Sequence, residues 1–241
     1  RLALSGIRGR GRVAALAAAL VAALAAAAVV AGLSVQGQGG PMVDAVYRDA
    51  GRPDIVVYGE AAALESLRGD AVFAATSPVT PFVTGEVTLG AGSVEGRVAS
   101  APAEPSTVGR PLLRTGRWPA TGSTGEVVFD RAAAVEAGVG VGDRVTVTAG
   151  GRPVELTVVG MAVDLTDCFY PDCDPIRLFV DPAGLRALAP DGVERGALLI
   201  ARLTDPDTAD AAAARLGTSP GVDGVQPWPD TRDDILVREL I

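Results

Sequence analysis

The sequence predicts an α+β protein: one N-terminal transmembrane helix, then an extracytoplasmic α/β layer that carries a β-rich inserted subdomain. Three features predict it. An uncharged apolar run fills Val13–Val35. Strand–helix–strand patterns stand at both ends of the chain beyond that run. Between them, alternating valines flank a Gly-Gly turn.

The run comes first. Its 23 residues carry no charge, and at 1.5 Å per residue a helix of that length spans about 34 Å, enough for a hydrocarbon core of about 30 Å. Alanine favours helix, and no proline interrupts. Arg8, Arg10 and Arg12 stand just before it, and none of the first 43 residues is acidic. Arginines on one flank hold that flank in the cytoplasm, so residues after about 36 are expected on the outer side of the membrane. A cleaved signal shares the basic start but has an apolar stretch of only roughly 7–15 residues. A core helix of a soluble protein shows one apolar stripe rather than a uniformly apolar surface. Length favours the anchor. No initiator Met opens the chain, so it reads as a piece of a longer one.

Residues 1–36 thus form the basic flank and membrane helix, and "QGQGGP" is a hinge leaving it. Residues 37–104 open the α/β layer. "MVDAVYRDAG" has helical spacing, "PDIVVYGE" is a β-branched strand, "AAALESLRG" a helix ended by Gly69, and "AVFAATSPV" a second strand. "GEVTLG" and "SVEGRVAS" read as short β-prone pieces. Residues 105–195 are the β-rich insert. "EVVFD" is a strand and "RAAAVEAG" a short helix stopped by Gly138. Val145 and Val147 alternate with polar residues, "AGGR" turns the chain, and Val154, Leu156 and Val158 alternate again, which marks a hairpin. "RLFVDPAGLRALAP" gives a strand and a helix capped by Asp181 with Pro182 at its first position. Residues 196–229 close the layer with a strand, a helix over "DPDTADAAAARLG" and a short strand. Residues 230–241 read as the start of a helix returning to the membrane.

Composition removes many functions. The chain holds 21 Arg, no Lys and no His, and beyond the first 12 residues 17 Arg face 29 acids, a net of −12. So acidic an outer part argues against nucleic acid. Without His there is no Ser-His-Asp catalysis and no His-containing metal site. Without Lys there is no Walker A loop and no Schiff base. No catalytic residue, cofactor or metal is expected. Cys168 and Cys173, the only cysteines, sit in "DLTDCFYPDCDP". Outside the membrane they read as a disulfide closing a tight loop, with free thiols or a redox pair as the other readings. Asp164, Asp167, Asp172 and Asp174 in that loop lack the spacing of a calcium loop and read as solvated. "GVGVGD" precedes a strand and follows a helix, the reverse of a dinucleotide fingerprint, so it reads as a turn. Trp118 and Trp228, beside prolines, read as loop or core packing.

These pieces in this order resemble a known family. "LALSGIRGRGRVAALAAALVAALAAAAVVAG" resembles the first transmembrane segment of FtsX-like, MacB-type ABC transporter permeases, where a basic pre-helix leads into a small-residue helix. "LLRTGRWPATGSTGEVVFDRAAAVEAGVGVGDRVTVTAGGRPVELTVVGMAVD" is similar to that family's extracytoplasmic domain. The G-R-x-P element falls at Gly116, Arg117 and Pro119, and the E-V-V-x-D strand at Glu126, Val127, Val128 and Asp130. The G-D and V-V-G elements fall at Gly142, Asp143, Val158, Val159 and Gly160. The resemblance covers nearly the whole chain, and its order carries it more than any one motif. It implies a non-catalytic permease subunit in the lipid bilayer, paired as a dimer and driven by a separate cytoplasmic ABC ATPase. Its outer domain would couple ATP-driven motion to an exported substrate or an extracytoplasmic protein partner. The Cys168–Cys173 loop departs from the family's pattern, so particular partners do not carry over. The alternative is a single-pass membrane-anchored extracellular binding or sensor domain.

Overall fold

The computed structural model describes residues 45–89, 92–102, 106–164, 166, 175–190 and 195–227. Apart from its last two residues, the chain divides into two compact units, Arg1–Ala45 and Val46–Glu239. All but Ala45 of the first unit lies outside the described residues. So do Arg8, Arg10 and Arg12, the Cys168–Cys173 loop, Trp228 and the expected helix over 230–241. Among the described residues no helix is long and apolar enough to cross a membrane.

A short helix, α1, spans 45–50. β1 (Ile55–Gly59), α2 (Ala61–Leu67) and β2 (Phe73–Thr76) follow, then β3 (Thr80–Leu89), β4 (Gly92–Ser100), β5 (Leu112–Gly116) and β6 (Glu126–Asp130). Next come α3 (Arg131–Ala137), β7 (Arg144–Ala149), β8 (Arg152–Val163), β9 (Ile176–Val180) and α4 (Pro182–Leu188). β10 (Gly196–Leu203), α5 (Ala209–Leu216) and β11 (Val222–Pro227) close it.

β1, β2, β10 and β11 form the layer. β1 lies between β11 and β10, antiparallel to both, and β2 pairs with the opposite edge of β10. Two strand–helix–strand units therefore interlock, each with a strand of the other between its own, which is the split pattern of ferredoxin-like layers. One face packs under α2 and α5. Ile55, Val57, Leu64, Leu199, Leu203 and Leu216 form its core. Arg215 on α5 makes two 3.0 Å hydrogen bonds to the Asp70 carboxylate ahead of β2. Tyr47 and Ala50 of α1 and Val108 of the 106–110 loop are also buried. That loop is tied to α1 by the Arg110 N–H, which donates to the Ala50 carbonyl at 2.8 Å.

The insert is a closed ring. β3 pairs with β4, β4 with β9, β9 with β6, β6 with β8, β8 with β7, and β7 returns to β3. Alternate residues of all six strands meet inside it: Val83 and Val87, Val98, Ile176 and Leu178, Val127 and Phe129, Leu156 and Val158, Val145 and Val147. Closure removes the open edges a flat sheet would leave. Leu185 and Leu188 of α4 and Ala133 and Ala134 of α3 join the same core. Asp181 caps α4 by accepting from Ala183 N at 2.8 Å, and Pro182 takes its first turn, as expected. Gly138 ends α3 in the left-handed region, and Gly150 and Gly151 turn the β7–β8 hairpin with φ of 56° and 76°.

Two expectations change. α2 ends on Arg68 in right-handed geometry, so Gly69 is not the left-handed cap. The ring starts at Thr80, so residues 80–100, read as the tail of the first α/β segment, belong to it. Gly85 and Gly96 sit inside long strands rather than in turns, because a Cβ at either would meet Thr148 O at 2.7 Å or Val87 Cγ2 at 2.3 Å. They mark close approach, not punctuation.

Candidate functional site

The layer and the ring share β3. Its first residues pair with β10, from Phe82↔Gly196 to Thr80↔Leu198, and the rest pairs with β4 and β7. At the step from β2 to β3, Ser77 keeps the ladder intact: its N–H donates to Ile200 O at 2.8 Å, and its Oγ accepts from Ile200 N at 3.0 Å.

Charged groups gather at this seam. Arg97 on β4 lies with its guanidinium carbon 4.8 Å from the Tyr58 ring centroid and 5.0 Å from that of Phe82. The two rings meet edge to face at 6.4 Å. Arg97 Nη1 also donates to Tyr58 Oη at 3.3 Å. One side chain of the ring is thus clasped by an aromatic of the layer and one of β3. Deeper in, Arg177 on β9 places Nε 3.6 Å from Asp164 Oδ2, at ion-pair rather than hydrogen-bond distance. Both are buried, at 4% and 6% exposure. Asp164 Oδ1 accepts from Thr166 N at 3.1 Å and from Thr166 Oγ1 at 2.9 Å. Burial lowers the Arg177 pKa, while the neighbouring Asp164 opposes the shift. Asp164 is therefore not a solvated loop acid. The strand β8 runs to Val163, and the buried Asp164 follows it directly. The other three loop acids lie outside the described residues.

A cavity of about 400 Å³ opens along the seam. Leu198 and Ile200 of β10 form one wall, Ala99 and Phe179 of β4 and β9 another, and Arg97, Arg177 and Asp164 stand among its polar groups. Sequence reading named none of these arginines. The available signal was an arginine inside an apolar strand, in "EGRVAS" and "IRLFV".

The motif residues serve the fold. Glu126 takes both guanidinium nitrogens of Arg117, at 2.6 and 2.9 Å, and the Ala120 N–H at 2.8 Å. The G-R-x-P element is thereby clamped onto the start of β6. Gly116 has φ of 76°, and a Cβ there would meet Val159 O at 2.2 Å. Asp130 is buried and caps α3 by accepting from Ala133 N at 3.0 Å, and burial raises its carboxyl above the ordinary value. Asp143 Oδ2 accepts from Gly140 N at 2.7 Å, closing the turn read from "GVGVGD". Trp118 packs edge to face on Phe179 at 5.8 Å. Among the described residues no group of three or more acids or cysteines is placed to hold a metal ion.

The Arg117–Glu126 clamp sets a pH expectation. The bidentate guanidinium, then the Ala120 N–H, hold Glu126 down from 4.5 to about 2. A depressed carboxyl stabilises the fold above its unfolded value, and that contribution fades as pH falls from about 4.5 towards about 2. Glu126→Gln is expected to flatten the acid side of the stability profile across that window while leaving its shape above pH ~6 unchanged, as read by urea unfolding at stepped pH.

No protein-family model and no curated sequence matches the chain. In fold it is similar to solved extracytoplasmic domains. One is the periplasmic region of MacB from Actinobacillus actinomycetemcomitans, 13% identical over 78% of this chain and 95% of that one, with a TM-score of 0.44. Another is the extracellular domain of the noncanonic ABC-type transporter YknZ from Gram-positive bacteria, 13% identical over 71% and 89%, with a TM-score of 0.40.

Proposed function

We infer that the chain is the first transmembrane helix and extracytoplasmic domain of the permease subunit of an ABC transporter. The subunit is non-catalytic. A separate cytoplasmic ATPase subunit hydrolyses ATP, and the outer body, set in a bilayer and paired as a dimer, carries that motion to an exported substrate or an extracytoplasmic protein.

One observation carries the reading. Ile55, which begins β1, pairs with Pro227, which ends β11. The start of the first strand and the end of the last therefore sit side by side, with the short helix α1 ahead of the former. A body hung between two membrane segments needs that arrangement; one on a single anchor does not. The motif order across residues 112–164 and the apolar run at Val13–Val35 support it from the sequence side. The shared β3 supports transmission, because a push on the layer reaches the ring through a continuous hydrogen-bonded ladder. Arg8, Arg10 and Arg12 hold the inner flank in the cytoplasm, and a Cys168–Cys173 disulfide stiffens the outer loop.

The test is co-purification of the tagged full-length protein from its own membranes. An ATPase subunit in stable ratio is expected, with ATP hydrolysis that responds to changes in the outer body. A protein that is freely water-soluble with residues 1–36 attached, or a single-pass protein without an ATPase, overturns the reading.

A further inference from the structure

We propose that the seam cavity is a binding site for a small uncharged molecule that is apolar over its whole surface. The inference does not rest on the transporter reading. At about 400 Å³ the space falls within the range of small-molecule sites, roughly 300–1,000 Å³. Pro102 at its edge is exposed, so a guest can enter from solvent. Leu198 and Ile200 on β10 and Phe179 on β9 form its apolar walls. All three stand on hydrogen-bonded strands, so the walls are preformed.

The polar groups of the described lining are spent on the protein itself. Ser77 Oγ donates to Pro78 O at 2.9 Å, Ser106 Oγ to Val108 O at 2.6 Å and Thr166 Oγ1 to Asp164 Oδ1 at 2.9 Å. The hydroxyls of Thr80 and Ser100 reach the carbonyls of Pro78 and Ala101 at 3.4 and 3.5 Å. Pro78, Pro81, Pro102, Pro111 and Pro182 also line the space, and a proline brings no N–H. Arg97 is engaged by the Tyr58 and Phe82 rings and by Tyr58 Oη, and Arg177 by Asp164. Both arginines keep protein partners, and the proposal asks nothing of their charge. A guest with its own donors or acceptors would bury them against such walls without partners, at a cost. Water needs two to four polar partners and is held poorly there. An apolar guest gains by replacing it.

The probe is phenyl(trifluoromethyl)diazirine, an uncharged apolar photolabel, applied to the full chain in lipid nanodiscs. Mass spectrometry of the digest then locates the label within residues 45–227. Saturable labelling is expected on the peptides that carry Leu198, Ile200 and Phe179. Para-xylene is expected to compete with it. Hydroquinone has the same shape with a hydroxyl at each end, so one hydroxyl must enter without a partner. It is expected to compete about tenfold less well or worse. Ala101→Trp, at the half-buried rim, is expected to abolish the labelling by filling the space, with an unchanged circular-dichroism spectrum. Absence of saturable labelling in the wild type overturns the proposal, as does hydroquinone competing as well as para-xylene. Label confined to other parts of the body, or undiminished labelling of Ala101→Trp, overturns the location. Should Ala101→Trp fail to fold, the wild-type map and the two competitors decide.

Discussion

Arg177→Met is expected to destabilise the folded body by about 3–5 kcal/mol, the usual cost of removing one partner of a buried ion pair. Arg177 is 4% exposed and Asp164 6%. Without the guanidinium, Asp164 keeps its two bonds from Thr166 but loses the only cation within ion-pair distance that the described residues give it. Asp130, also buried and favoured in its charged form by the same Arg177, loses that support too. Two consequences separate this from a simple packing defect. The double variant Arg177→Met, Asp164→Leu should recover most of the loss, because an apolar pair of similar volume replaces a buried ionic one at little net cost. The deficit of the single variant should also shrink as pH falls, because buried carboxylates without a cation escape their penalty by taking a proton. Urea unfolding of both variants at neutral and acid pH checks this. A single variant as stable as the wild type would show that the pair contributes nothing.

Legibility in the sequence depended on what each residue type reports. Alternation in Val145–Val147 and Val154–Val158 gave the hairpin, because a strand with one face in a core must repeat every second residue. The Asp181-Pro182 start gave the cap of α4, since an Asx side chain and a fixed φ act locally. The layer was also visible as two strand–helix–strand runs. Closure of the ring was not. It depends on β3 meeting β7 and β4 meeting β9, pairings between residues about 60 to 80 positions apart, which no local pattern reports. The piece read from "GEVTLG" begins at Gly85 and so missed the first five residues of β3, since glycine signals a turn and a close approach with the same letter. The seam was hidden for a related reason. Tyr58, Phe82 and Arg97 lie on three different strands, and Arg97 reads alone as an ordinary surface charge. Asp164 was misread because its acidic neighbours suggested solvent, whereas its place is set by the long apolar strand before it and by Arg177 on the next.

Phe129→Ala is expected to cost about 3–5 kcal/mol, the range for emptying a large aromatic site. Phe129 is fully buried inside the ring on β6. That strand is covered on both sides: Val127 and Phe129 face the ring core, and Val128 packs outside with Ala99, Val159 and Phe179. The backbone therefore has little freedom to collapse into the void, which places the cost towards the upper end. Val135→Ala, at a residue 71% exposed, should stay within about 0.5 kcal/mol and serves as the control. The form of the transition carries more than its midpoint. β3 gives its first residues to the layer and its remainder to the ring, so loosening the ring pulls on the layer's own ladder. Denaturant unfolding of Phe129→Ala is expected to remain one transition, with its midpoint lowered and its slope unchanged. Two separated transitions would mean that layer and ring melt independently. A body that comes apart at β3 cannot carry force from one end to the other, and the coupling role proposed above would fall with it.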